Sequence, residues 1–125
     1  MKPIEGTAEN IEELLEKSDY VLIDFWASWC GPCQAFAPVF EAAAKEHKDI
    51  TFIKVNSDEQ PAISQAFGVR ALPTLVGFAE QMPLFAQAGA LQKAQLAQVI
   101  EVLKDPKTVE EAKAHMEKHA AEAGA

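Results

Sequence analysis

Seven consecutive residues, Tyr20 to Trp26, are aromatic or aliphatic apart from Asp24. A run so short and so apolar leaves neither face for water, which reads as a central strand covered on both sides. That confines the chain to layered α/β architectures, in which helices close both faces of a sheet. The residues that follow agree. Phe36, Val39, Phe40, Ala43 and Ala44 recur at helical spacing, predicting a helix from about Cys33 to His47, with Pro32 in its first turn and a kink at the internal Pro38. A second strand, Ile50 to Val55, comes next, so strand, helix and strand form a parallel unit with a right-handed crossover.

The other elements extend this unit. A short lead suits an edge strand, and Ile11, Leu14 and Leu15 mark a first helix, with Asn10 as N-cap, Glu13 three residues on, and a stop near Ser18-Asp19. A short helix spans Pro61 to Phe67, with Gly68 as its C′ residue. Thr74 to Ala79 and Leu84 to Ala86 read as an antiparallel hairpin, with Pro83 placing the second run at a sheet edge. Leu96, Val99, Ile100 and Leu103 define another amphipathic helix. The order β-α-β-α-β-β-α describes a mixed sheet flanked by helices on both faces. From Asp105-Pro106 a further helix is expected, N-capped by Asp105 or Thr108, with Glu111 completing a Thr-x-x-Glu box. Its stripe, mainly Val109, Ala112, Met116 and alanines, is thin, so weak docking and fraying at the terminal Ala-Gly-Ala are expected. Residues 1–104 thus form the domain proper, and 105–125 are a C-terminal helical extension of it.

A chain of 125 residues has room for one domain. Its formal net charge of −8 argues against a phosphate-backbone partner, because nucleic-acid affinity comes largely from Lys and Arg. The first residues, Met1-Lys2-Pro3-Ile4-Glu5-Gly6, hold no apolar stretch of leader type, and no segment reaches membrane-spanning length. A cytoplasmic monomer is expected, with no nucleic-acid or membrane partner. In that reducing compartment a lone cysteine pair points to catalysis or metal binding rather than a structural staple.

Both cysteines lie in Trp29-Cys30-Gly31-Pro32-Cys33, where the apolar strand gives way to the helix. Two thiols three positions apart at a helix start can form and break one disulfide. A thiol with pKa near 8.5 is about 3% thiolate at pH 7, whereas one brought to about 7 by a helix N-terminus is half ionised. Cys30 gains this advantage, and Cys33, one turn further in, should be more buried. In thiol-disulfide exchange Cys30 would therefore attack and Cys33 would resolve. The metal alternative joins these cysteines to His115 and His119 at i, i+4 spacing. A zinc finger separates its Cys and His pairs by about a dozen residues, but here 81 residues lie between Cys33 and His115, so no metal site is expected. His47 ends a helix, where partial cationic character suits the dipole. Asp24 has two readings. Residue pattern alone favours a carboxylate on a solvated face, while its place just upstream of the thiol loop suits a proton-transfer group acting on Cys33.

Three runs carry a resemblance: Asp24-Phe25-Trp26-Ala27-Ser28-Trp29-Cys30-Gly31-Pro32-Cys33, Phe67-Gly68-Val69-Arg70-Ala71-Leu72-Pro73-Thr74-Leu75 and Gly89-Ala90-Leu91. In order and separation they resemble the active-site segments of the thioredoxin family, over about residues 1 to 104. The resemblance implies the thioredoxin fold, a central mixed sheet flanked by helices, and a protein-disulfide reductase working through a reversible Cys30–Cys33 disulfide. It implies Asp24 as a buried proton carrier assisted by Lys54, and a cis Leu72-Pro73 bond beside the thiols. Trp29, Gly31, Pro32, Leu72, Pro73, Gly89 and Ala90 would form a shallow apolar docking surface, with the residue before the proline offering backbone hydrogen bonds to an extended client segment. No bound cofactor is implied. Reducing equivalents would come from a thioredoxin reductase, an NADPH-linked flavoprotein, and the clients would be disulfide-containing proteins. The Gly-Pro spacer, with Pro32 where oxidants and isomerases of the family carry His, favours the reducing end. The chain departs from the family's pattern at Gln34, where Lys is usual, at the hairpin tip Glu80-Gln81-Met82, and in the extension beyond Asp105.

Overall fold

The computed structural model describes residues 2–123, with side chains through residue 118. In chain order the elements are β1 (Ile4–Glu5), α1 (Ile11–Lys17), β2 (Tyr20–Trp26), α2 (Gly31–Glu46), β3 (Thr51–Asn56), α3 (Pro61–Ala66), β4 (Thr74–Ala79), β5 (Met82–Ala88), α4 (Lys93–Lys104) and α5 (Pro106–Ala123). The strands form one sheet in the order β1-β3-β2-β4-β5. β1 and β2 run parallel to β3, while β4 runs antiparallel to both β2 and β5.

β2 is the central strand that its composition demands, and its alternation sorts the two cores. Val21, Ile23 and Phe25 join Ile53, Val55, Val76 and Ile63 of α3 on one face, with Ile11, Leu14 and Leu15 of α1 packed over them. Leu22 joins Phe52, Leu75, Phe36 and Phe40 of α2, and Leu96, Ile100 and Leu103 of α4 on the other. Because side chains alternate along a strand, Asp24 falls on the Leu22 face, within the layer closed by α2 and α4.

Local chemistry accounts for the departures from expectation. α2 starts at Gly31, two residues earlier than its apolar spacing indicates, because Cys30 serves as its N-cap. The helix then continues through Pro38 without interruption. At α1, Asn10 occupies the N-cap position without capping the helix. Its side chain turns back, accepting from the Thr7 N–H at 2.8 Å and donating to the Glu5 carbonyl at 2.9 Å. β5 is longer than its apolar run, since a bulge at Gly77/Phe78 absorbs Pro83 on the edge strand. Gly77 lies opposite Phe85, and a Cβ there would intrude on the phenyl ring. The hairpin tip turns through Glu80 and Gln81, at φ 51° and 68°. Its geometry is held from outside: the Glu80 N–H donates to the Asp19 carbonyl at 2.8 Å, and Gln81 Nε2 donates to the Glu16 carbonyl at 2.7 Å.

α5 begins at Pro106, with Asp105 Oδ1 accepting the Lys107 N–H at 3.0 Å. Asp105 is therefore the cap, and Thr108 lies inside the helix rather than opening a Thr-x-x-Glu box. The expectation of weak docking holds for only part of this helix. Its first turns pack against β5 and α4, and Val109 is buried in the core cluster around α2 and α4. Ala112 is half-buried and Met116 is exposed. Of the terminal Ala-Gly-Ala, where fraying is expected, Ala123 is the last residue of α5 and Gly124 and Ala125 lie outside the described residues.

Candidate active site

At the C-terminal end of β2 the chain leaves the sheet through Ala27-Ser28-Trp29 and enters α2 at Cys30. Cys30 keeps an extended backbone, φ −89° and ψ 109°, and its sulfur accepts the Cys33 backbone N–H at 3.2 Å. That N–H is one of the first-turn donors no helix can satisfy internally, and the positive end of the helix dipole lies at the same place. Negative charge on Cys30 Sγ is thereby favoured. The two sulfurs are bonded to each other, across a Cα–Cα distance of 5.2 Å. The expected contrast in burial is small, because Cys30 is 4% exposed and Cys33 2%. What separates them is position, one at the cap and one inside the first turn.

The loop around the thiols is tied at two points. Gln34 Nε2 donates to the Ser28 carbonyl at 2.8 Å, clasping the first turn of α2 to the segment before it. Trp29 is 70% exposed, yet its indole Nε1 donates to Asp58 Oδ2 at 2.9 Å. Asp58 is positioned in turn by its backbone N–H, which donates to Asn56 Oδ1 at 3.0 Å. Sequence reasoning missed Asp58. The available signal was the Asn56-Ser57-Asp58-Glu59 turn, which follows β3 at the same sheet end as the thiol loop.

The second expected segment converges on the first. Leu72 packs against the buried cluster of Ala27, Cys30 and Cys33, and the Leu72-Pro73 bond is cis. Thr74 Oγ1 donates to the Ala71 carbonyl at 2.6 Å, closing the turn that delivers Pro73. Gly89, at φ 103°, donates its N–H to the Pro73 carbonyl at 2.8 Å, so the end of β5 is stitched beside the proline loop. Gly31, Pro32, Gly89 and Ala90 are exposed around this surface. Ala90 follows in the chain, with no hydrogen bond to the thiol loop or the proline loop among the described residues.

Asp24 is 1% exposed, which overturns the solvated-face reading drawn from residue pattern. The pattern around Asp24 cannot reveal that α2 and α4 close over the Leu22 face of β2. Neither carboxylate oxygen has a hydrogen-bond partner among the described residues. Burial pushes its pKa up to about 7, against a smaller opposing pull from Lys54. Lys54 is the register partner of Asp24 on β3, and its Nζ lies 4.7 Å from the centroid of the Trp26 ring.

His115 lies on α5, and the His119 side chain is outside those described. Among the described residues no group of three or more His, Cys, Asp or Glu converges as a metal centre would require. No described helix is long and apolar enough to cross a membrane.

Residues 2–102 match the family model described as Thioredoxin. A Streptomyces coelicolor protein that bears the name thioredoxin 2 is 48% identical over 97 residues, covering 78% of this chain and 72% of that one. The thioredoxin of Alicyclobacillus acidocaldarius is 41% identical over 99 residues, covering 78% of this chain and 94% of its own. Among solved structures, a mutant thioredoxin from Halobacterium salinarum superposes with a TM-score of 0.77 at 35% identity, covering 83% of this chain and 92% of that chain.

Proposed function

The chain belongs to the thioredoxin family as a thioredoxin-type disulfide oxidoreductase with a redox-active Cys30–Cys33 pair, and on that premise we propose how its residues divide the work. The reading rests above all on one observation: the Cys30 sulfur caps α2 and receives the Cys33 N–H. In the reduced protein the Cys30 thiolate attacks a client disulfide, forming a Cys30–client bond and releasing the first client sulfur as a thiolate. Cys33 then gives its proton to the Asp24 carboxylate, directly or through water. The resulting thiolate attacks Cys30 Sγ, so the mixed disulfide breaks, the Cys30–Cys33 bond forms and the second client sulfur leaves. Two electrons pass to the client, and Asp24 returns its proton as the released thiolates are neutralised. Lys54 assists by attracting the charged form of Asp24.

Trp29, Gly31, Pro32, Leu72, Pro73, Gly89 and Ala90 form the docking surface for an extended client segment, which pairs with the backbone beside Pro73. A thioredoxin reductase, an NADPH-linked flavoprotein, restores the dithiol, and no cofactor stays bound. Residues 1–104 carry this chemistry, with 105–125 belonging to the same folded unit.

Cys33→Ser tests the assignment. This variant keeps the attacking sulfur but loses the resolving one, so client proteins should accumulate as covalent adducts identifiable by mass spectrometry. Cys30→Ser should trap far fewer. Equal trapping by both variants, or none by either, would overturn the assigned roles and favour a thiol-independent binding scaffold.

A further inference from the structure

Trp26 is the last residue of β2 and lies two positions beyond Asp24, so the two side chains share one face of the sheet. Lys54, paired in register with Asp24 on β3, lies on that face as well. The Trp26 ring meets two groups at once: the Lys54 ammonium at 4.7 Å and the buried cluster of Ala27, Cys30 and Cys33. Trp26 and Lys54 border a cleft of about 280 Å³, lined also by Lys2, Pro3, Glu5 and Glu41. Glu5 from β1 and Glu41 from α2 are thus competing anions for the lysine, and Lys2 is a second cation at the same opening. Lys54 nevertheless forms no ion pair with either glutamate among the described residues. A lysine is a compact charge on a flexible stem and needs a restraint if it is to act on one neighbour rather than another. Here the aromatic face supplies that restraint through cation–π attraction.

We propose that Trp26 is a positioning residue for the thiol chemistry, its ring seating the Lys54 ammonium beside Asp24 and away from Glu5 and Glu41. The proposal rests on the reading of Asp24 as the proton carrier. The pull of Lys54 on Asp24 acts against the effect of burial, so releasing the lysine from the ring weakens the force that favours the carboxylate. Trp26 then sets the Asp24 proton affinity without touching a client or a sulfur being transferred.

The test is a titration of the Asp24 carboxyl carbon by NMR in full-length oxidised protein, comparing wild type, Trp26→Leu, Lys54→Met and the double variant. Removing the ring also alters packing and hydration, and the cycle cancels that part. In the presence of Lys54, Trp26→Leu should move the titration midpoint upward by about half a pH unit relative to its effect in Lys54→Met. No difference between the two backgrounds, or one of opposite sign, overturns the proposal. Should Trp26→Leu fail to fold, Trp26→Phe retains a ring and should give a smaller upward difference in the same cycle, with zero again overturning it. Release of a trapped client by Asp24→Asn separates this proposal from its premise. Release as fast as wild type at every pH overturns the proton-carrier reading, and with it the chemical role of Trp26, even where the titration coupling persists. Slow release with no titration coupling overturns the Trp26 role alone.

Discussion

A carboxyl group enclosed like Asp24 carries a solvation penalty whenever it ionises, and that penalty should be visible in stability. Its pKa is about 7 in the fold, against an ordinary value of 3.8. Below about pH 4 the group is protonated in both folded and unfolded chains and costs nothing. As pH rises from about 4 to 7 the unfolded chain ionises first, so stability falls, and above 7 the full penalty, on the order of 4 kcal/mol, is present. Asp24→Asn keeps the volume and removes the charge. Its stability relative to wild type should therefore improve steadily between about pH 4 and 7 and then level off, read by urea denaturation of the oxidised proteins. A difference that does not change with pH would show that the fold does not raise the Asp24 pKa. The same penalty would suit Asp24 to the proposed proton transfer, because it brings the carboxyl's proton exchange near neutrality. Cys30 differs in kind, because its charge is favoured by a hydrogen bond and a helix end instead of being opposed by burial.

At the scale of elements, the site lies where segments end. β2 delivers the thiol loop, the cap of α2 holds Cys30, and the β3–α3 turn supplies Asp58 to Trp29. The turn before β4 brings the cis proline, and the end of β5 brings Gly89. The opposite end of the β4–β5 hairpin shows how a fold enforces a turn its residues do not favour. Glu80 holds φ 51° without glycine's freedom, at a steric cost of roughly 1 kcal/mol. Its side chain is exposed, and the bond to the Asp19 carbonyl uses only its backbone. Glu80→Asn should therefore stabilise the protein by about 0.5 kcal/mol, since asparagine tolerates the left-handed region and no contact is lost. The urea midpoint should rise at constant m-value. An unchanged or lower midpoint would mean the turn is unstrained with glutamate.

For the whole molecule, the sheet order β1-β3-β2-β4-β5 puts β2 at the centre and β5 at an edge, with the thiol loop leaving the most enclosed strand. α5 packs beside that edge strand and contributes Val109 to the larger of the two cores. Truncation after Asp105 consequently removes more than an appendage. Withdrawing the Val109 side chain alone forgoes about 2 kcal/mol of apolar burial, and the loss also uncovers neighbours on α4 and β5. The truncated protein should melt several degrees lower while still reducing a disulfide substrate, because α5 packs mainly against β5 and α4 whereas the thiol loop joins β2 to α2. Thermal melts and a reduction assay on the same preparations check both halves. An unchanged melting temperature would show that α5 adds no stability, and a loss of activity below the melting range would show that it supports the site.

Period and composition alone determined that β2 is central and that β4 spans Thr74–Ala79. They also placed helices between the parallel strands and both cysteines at a helix start. Those properties are local, because a run of seven residues carries its own alternation and a helix its own repeat. The face on which Asp24 would be buried was not local. It depends on α2 and α4 crossing over Leu22, and pattern alone therefore pointed to solvent. The start of α2 depended on a sulfur capping its own helix, and the turn at Glu80-Gln81 on carbonyls from α1 and the residues after it. Trp29 and Asp58 are 29 residues apart, and Trp26 and Lys54 sit on different strands. Only the sheet register and the helices laid across it bring such pairs together, since an isolated segment does not specify which distant groups share its surface.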